Sequence, residues 1–388
     1  MDTIAEQFFP KGFHHFHPKQ VYNYQLNRWY SLGYFRYEDI SNLGSRINSF
    51  RDWTDVMLEC AETAVSEERY LNAAFFYRAA EFYCFDDFSE KERLYDNFIE
   101  YFNAAYSNEI IQRSEIPYEG GFLPIIRVPA RKQKRGCIIL HGGFDSFVEE
   151  WFLIMKYLAA EGYDVIGFEG PGQGAALIKH KLAFDIRWEK PVKAVLDYFD
   201  LNDAALFGIS MGGWLCLRAA AFEPRIQRVV ANGHAIDYLK CIPFIARGIH
   251  RWIMSQESLY GWLNEVGMKK AAVENSQGWL TNQLMHITRK PGRPMDATRV
   301  WLDMNEENMH PEKIFQQVLL ISGEHDHFVP ARMHKLQIKS LIHAESVTNR
   351  IFLKSEQAHN HCQIGNIQLM LDFVLDWLKH RDEAIIAS

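Results

Sequence analysis

Gly208-Ile209-Ser210-Met211-Gly212, with a further glycine at 213, is the stretch on which the reading of this chain turns. Ala205–Gly208 before it reads as a strand, and Met211–Phe222 behind it reads as a helix. A serine set between glycines where a strand passes into a helix has a specific physical meaning. The turn is sharp and strained, and the flanking glycines remove Cβ atoms that would clash there. The hydroxyl then projects from the end of the sheet, and the helix aims its positive N-terminal end at it. Ser210 is therefore read as a nucleophile. The competing reading is a glycine-rich helix start that carries an inert serine.

A nucleophilic serine needs a base, and the base needs an orienting acid. After a turn of this kind both are expected at the carboxyl ends of later strands, in the order serine, acid, histidine. Val318–Ser322 reads as an apolar strand that runs into Gly323-Glu324-His325-Asp326-His327-Phe328-Val329-Pro330. Asp326, just past the strand, is the expected acid, with Glu324 as the alternative. The next strand, Arg350–Leu353, leads to Gln357-Ala358-His359-Asn360-His361-Cys362-Gln363. His361 lies nearer the last helix and is the expected base in preference to His359. His325 and His327 flank the acid and are read as pocket or loop residues.

The oxyanion of an attacked carbonyl needs backbone donors from an earlier loop. Cys137–Leu140 reads as a strand ending in His141-Gly142-Gly143-Phe144-Asp145-Ser146. One donor is expected from the N–H of Met211, and the second from the N–H of Phe144 or Gly143. The Phe144 side chain is expected to wall the pocket, and His141 to be structural.

Outward from these motifs, short β-rich runs alternate with helical runs from Ile116 onward. The further candidate strands are Phe122–Val128, Asp164–Phe168 and Arg228–Ala231, and the further helices are Glu149–Glu161, Phe184–Tyr198, Arg332–Leu341 and Asn366–Lys379. This alternation implies an α/β fold with a mostly parallel sheet covered on both faces. Residues 1–115 read as a helical N-terminal domain. Its clearest part is Trp53–Phe85, where alanines and large aromatics recur at helical spacing, as in two closely packed helices. From about 234 to 313 no strand is expected. Trp252, Trp262, Trp279 and Trp301 mark this interval as a helical insertion over the sheet, broken at Pro291-Gly292 and Pro294.

The chain has 388 residues, a formal charge of −7 and 48% hydrophobic residues, which excludes disorder and a global basic field for nucleic acid. The run Arg131–Arg135 is read as a solvated turn. The six cysteines are scattered without a CxxC pair, as in a reduced, cytoplasmic protein. No secretory leader is read in Met1–His17, and no stretch is long and apolar enough to span a bilayer. Gly170-Pro171-Gly172-Gln173-Gly174 lacks the lysine and hydroxyl residue of a phosphate loop and is read as a sharp turn near the site. His14-His15-Phe16-His17 has no ligand partners at metal spacing. No cofactor and no metal are expected.

Taken in order, His141–Phe144, Gly170–Gly174, Gly208–Gly212, Gly323–Pro330 and His361 resemble the α/β-hydrolase superfamily over roughly residues 115–385. The resemblance implies an α/β-hydrolase domain at 116–388 carrying the insertion as a lid, with residues 1–115 as a cap. A narrower likeness rests on the helical N-terminal domain, on His141–Ser146 followed by Glu149-Glu150, and on His361-Cys362-Gln363. These resemble the group of the fermentation-respiration switch protein, the dihydroxy-pseudo-oxynicotine hydrolase and the polyketide-shortening hydrolases of fungal pigment pathways. That group implies carbon–carbon bond hydrolysis of a 1,3-dicarbonyl compound. Some members use an additional acidic residue, for which Asp237 is the candidate by location. Ester or lactone hydrolysis by the same machinery is the nearest alternative, and a non-catalytic binder or scaffold is the alternative of another class. The expected partner is a small aromatic substrate, with neither nucleic acid nor membrane. Aromatic surface on the helical domain suits a homodimer interface as well as a pocket wall.

Overall fold

The computed structural model describes residues 9–85 and 87–386, so the reading against a leader falls partly outside the described residues. Eight strands form a single sheet: β1 (Gln112–Tyr118), β2 (Gly121–Val128), β3 (Gly136–His141), β4 (Tyr163–Phe168), β5 (Ala204–Ile209), β6 (Ile226–Asn232), β7 (Gln317–Gly323) and β8 (Ser346–Phe352). Their spatial order is β1-β2-β4-β3-β5-β6-β7-β8. β1 and β2 form a hairpin, β2 pairs antiparallel with β4, and every other pairing is parallel. Parallel strands need crossovers, and the helices that supply them cover both faces. The central strands β3 to β7 are accordingly buried almost throughout, which is why they read as continuous apolar runs rather than alternating ones.

β1 begins within the stretch expected to be helical, which ends at about residue 115. Its sequence, Gln-Arg-Ser-Glu-Ile-Pro-Tyr, is exposed over most of its length because it is an edge strand. It therefore lacks the apolar periodicity by which the other strands are legible. Expected helix 184–198 is also shorter, beginning at Glu189. Pro191 explains this, since proline is accommodated only in the first turn of a helix. The segment before it is tied elsewhere: the Phe184 N–H donates to the Ile287 carbonyl of the insertion at 2.8 Å.

Ahead of the sheet lie helices Gln20–Ser31, Phe50–Ser66, Tyr70–Tyr83 and Phe88–Ala105. Ser49 and Asp52 close the start of the second of these with a reciprocal capping box. The third is central: Ala73 to Tyr83 are all buried, and the Trp53 indole donates to the Ala79 carbonyl at 2.7 Å. Between β6 and β7 the described residues form helices Phe244–Ser255, Tyr260–Ala271, Ser276–Ile287, Pro294–Leu302 and Glu306–Met309, and no strand.

The two faces of the sheet are continued differently. Ile138, Leu140, Phe207 and Ile321 on one face share a continuous core with the N-terminal helices and the last helix, Ile367–Ile386. Ile139, Leu206, Val229 and Leu320 on the other share theirs with Leu284, Met285, Ala297 and Met304 of the insertion. The N-terminal helices thus have no core separate from the sheet. Phe75, fully buried among Trp29, Tyr34 and Phe98, tests this. Phe75→Ala should cost about 3–5 kcal/mol in urea denaturation. Tryptophan fluorescence and far-UV circular dichroism should still follow one shared transition. Two separated transitions would show that the helices fold independently.

Candidate active site

Ser210 leaves β5 with φ 62° and ψ −129°, a conformation that residues with a Cβ rarely adopt. Crowding explains the glycine before it: a Cβ on Gly208 would lie 2.0 Å from the Gly212 carbonyl oxygen. The turn is held on both sides. The Ser210 N–H donates to the Asn232 carbonyl, and the Ser210 carbonyl accepts from the Gly213 N–H, each at 2.8 Å.

His361 follows β8, just before the last helix, and its Nε2 lies 2.8 Å from Ser210 Oγ. Its Nδ1 lies 2.6 Å from Asp326 Oδ2 on the loop after β7. The other Asp326 oxygen accepts the N–H groups of Phe328 at 2.8 Å and Val329 at 2.9 Å, which fixes the carboxylate plane. The structure thus brings together the three residues expected from the motifs. Glu324 turns away and accepts the Lys354 N–H, while His359 packs against Phe13 and His325. Burial alone would lower the His361 pKa, but the adjoining Asp326 carboxylate overrides it and holds the pKa well above 6.5.

The loop after β3 presses against the start of the helix behind Ser210. A Cβ on Gly143 would lie 2.6 Å from the Met211 nitrogen. Gln173 fixes this loop from below, its Nε2 donating to the carbonyls of Gly142 at 3.0 Å and Gly143 at 2.8 Å. In a trans peptide the N–H points opposite the carbonyl. The Gly143 and Phe144 N–H groups therefore face away from Gln173. His141 is fully buried, with a pKa pushed down to about 4 by burial, which suits the structural reading. The Phe144 ring meets Trp279 of the insertion at 6.1 Å. Asp237 is buried and caps the turn Tyr238–Cys241, accepting the Lys240 N–H. The histidines near the N-terminus are used locally: His17 Nε2 pairs with the Ile47 carbonyl at 2.8 Å, and no metal-holding group occurs among the described residues.

Three contributors were not legible in the motifs. Gln173 sits in the noted Gly-Pro-Gly-Gln-Gly turn, where a polar residue between glycines is the only signal. Tyr24 comes from the first helix, its hydroxyl donating to the His361 carbonyl at 3.2 Å and its ring packing on His327 and Phe328. Arg78 reaches the loop after β3 from the third helix. No local pattern announces contacts across so much chain. A cavity of about 650 Å³ opens between Phe88, Leu177, Ile178, Met268, Met285 and His286, and Ser210 is not among its lining residues.

Residues 138–256 match the family model of the alpha/beta hydrolase fold. The chain has an α/β-hydrolase fold over these residues. Hydrolase LUC6 of Fusarium sp is 40% identical to it over 147 residues, 33% of this chain and 34% of that protein. The 20-hydroxy-prefusarin hydrolase FUS2 of Gibberella moniliformis is 32% identical over 180 residues, 39% of this chain and 41% of that protein. The chain therefore matches well under two thirds of the length of these relatives. The crystal structure of 2,6-dihydroxy-pseudo-oxynicotine hydrolase has the same fold, with a TM-score of 0.61 at 19% identity, covering 91% of this chain and 94% of that one. Among the described residues of this α/β-hydrolase fold, no helix is long and apolar enough to cross a membrane.

The folded protein holds the His361 proton more tightly than the unfolded chain does. That proton stabilises the fold at low pH, and its contribution disappears as the pH rises from 6.5 through the folded-state pKa. Ring ¹⁵N shifts should therefore show His361 titrating on the alkaline side of 6.5. In Asp326→Asn burial is opposed only by the weaker influence of Cys362, so the midpoint should fall. An Asn variant that titrates where the wild type does would remove Asp326 as the cause.

Proposed function

We propose that the protein is a serine hydrolase working through an acyl-enzyme, with Ser210 as nucleophile, His361 as base and Asp326 as orienting acid. The observation that carries this reading is the continuous chain of hydrogen bonds from Ser210 Oγ through the His361 ring to Asp326, ending on a strained turn. His361 Nε2 takes the proton of Ser210 as Oγ attacks a carbonyl carbon. Asp326 holds the imidazole in the productive tautomer and stabilises its charged form. The N–H groups of Met211 and Phe144 receive the oxyanion, each such donor being worth about 2.7–4 kcal/mol in the transition state. Phe144 is taken as the second donor; the Gly143 N–H faces the same way, since Gln173 pins the carbonyls of both peptides on the opposite side.

The substrate we propose is an aryl or polyketide 1,3-dicarbonyl compound, cleaved at a carbon–carbon bond. When the tetrahedral intermediate collapses, the bonding pair leaves with the α-carbon as an enolate. The second carbonyl stabilises that enolate, and the imidazolium of His361 returns the proton. Water then releases the acid from Ser210 by the same two groups. Two things support this choice: relatives named as hydrolases, one of a prefusarin, and the aromatic wall of Tyr24, Phe144, Trp279 and Phe328. The chain's own groups carry every step. Six separate free cysteines suit a reduced, cytoplasmic setting.

Ser210→Ala should fold and bind ligand but lose nearly all turnover. Asp326→Asn should keep the geometry yet stabilise the wrong tautomer, lowering kcat by up to about 10⁴. More than a few per cent residual turnover in Ser210→Ala on every substrate would remove the acyl-enzyme reading. The scissile bond is tested by comparing kcat/KM for a diketone and for an ester of similar size. The diketone should be preferred. An ester preference of tenfold or more across a panel would make the protein an esterase or lactonase. Binding of both without turnover of either would return the scaffold reading.

A further inference from the structure

The loop that carries Phe144 is gripped from two directions. Gln173 holds the carbonyls of Gly142 and Gly143 from the hydrolase side. From the other side Arg78, on helix Tyr70–Tyr83, donates through Nη2 to the Asp145 carbonyl at 2.5 Å. Asp145 needs such a hold, because its φ of 50° places it in the left-handed region. The Arg78 guanidinium also sits over the Phe147 ring, its centre 3.9 Å from the ring centroid.

Arg78 is itself fixed on every side. Its Nε donates to Glu150 Oε1 at 2.8 Å, and its Nη1 pairs with Glu81. Arg28 of the first helix takes the other Glu150 oxygen, and Lys91 of the fourth helix meets Glu81 Oε1 at 2.8 Å. Arg78, Glu81, Lys91 and Glu150 are all essentially excluded from solvent. The same helix also reaches Phe144 by a second route, since the Trp279 indole that touches the Phe144 ring donates to the Phe82 carbonyl at 2.8 Å.

Burying ion pairs is a poor way to gain stability, because desolvation offsets most of the attraction. A planar fork with five donors is, however, a good way to fix several acceptors in one geometry. We infer that Arg78 is the positioning residue of the oxyanion loop, setting the Phe144 N–H through the Asp145 carbonyl, so that the N-terminal helices are part of the catalytic apparatus. This rests on the acyl-enzyme reading above. It also gives the helical segment a role in the chemical step as well as in enclosing the substrate.

Arg78→Lys keeps the charge and loses the fork. A shift of the loop by an ångström should lower kcat about 10–100-fold and leave KM within about twofold. An aryl boronic acid, which forms a tetrahedral adduct on Ser210 with an oxygen in the oxyanion position, reads the same effect at equilibrium. Its affinity should fall in parallel with kcat/KM, while binding of a planar product analogue is unchanged. The pH profile should stay in place, because His361 and Asp326 are untouched. Should Arg78→Lys fail to fold, Glu150→Gln, which loosens Arg78 without removing it, should show the same selective loss to a smaller degree. The inference is overturned if the folded variant keeps wild-type kcat and boronate affinity. It is equally overturned if substrate, product and boronate binding all weaken together, as for a purely structural residue. A wild type that neither turns over ester or diketone nor binds the boronate would instead defeat the acyl-enzyme reading, and the role of Arg78 with it.

Discussion

The backbone of Ser210 is held in a region that costs an L residue about 1–3 kcal/mol, and it stays there because its surroundings leave no relaxed alternative. The residue cannot slip back along β5, since its N–H is taken by Asn232 of β6. Its carbonyl accepts from Gly213 and so opens the following helix, while its φ of 62° keeps the residue itself outside that helix. The neighbouring chains approach so closely that side chains at 208 and 143 would collide with backbone atoms. Close-packed interiors do not deform by small amounts, so the strain is transmitted outward instead of dissipating. The loop after β3, the turn at 170–174 and the loops after β7 and β8 are all arranged against this one turn.

The division of the two faces of the sheet follows the same logic. One face continues into the N-terminal helices and the other into the insertion. Neither helical layer has to be placed by a flexible linker, because each is packed on the strands that deliver the site. The layers then meet over Ser210. Tyr24 reaches the His361 carbonyl from one side, and Trp279 reaches Phe144 from the other while bonded to Phe82 of the opposite layer. The groups that line the gap between them have their positions set by the same sheet.

This arrangement explains what was legible in the sequence. The residues on strand-to-helix loops, Ser210, Asp326, His361 and the His141–Ser146 loop, were legible because each stands at a fixed offset from a buried strand, and buried strands announce themselves as apolar runs. β1 did not, since an edge strand with Gln112, Arg113, Glu115 and Pro117 exposed needs no continuous apolar run. Tyr24 and Arg78 did not, since their partners lie hundreds or tens of residues away and a buried arginine looks in sequence like a solvated one. Within Tyr70–Tyr83 the alanines and aromatics disclosed packing, and the two charges that packing had to accommodate, Arg78 and Glu81, passed as part of that texture. What sequence hides here is long-range polar contact, for which no periodicity exists.

The charge balance at the site depends on most of its neighbours staying neutral. The chain has 16 histidines, and burial pushes His141, His234, His286 and His327 each down to about 4. His361 is buried as well, yet its pKa moves the other way, because it faces a carboxylate at 2.6 Å. His327 is the informative contrast. It lies beside the same Asp326 loop, its ring 6.5 Å from that of His361, and a cation there would compete for the carboxylate. Packed against Tyr24 and Phe328 and repelled by a charged His361, it is kept uncharged. In the proposed acyl-enzyme chemistry, a proton taken from Ser210 by neutral His361 has one place to go. The imidazolium that forms finds a carboxylate already fixed by two backbone N–H groups, with no other side chain required to move. Tyr24, supplied by the first helix, thus does more than wall the site: by helping Phe328 to bury His327 it helps reserve Asp326 for His361.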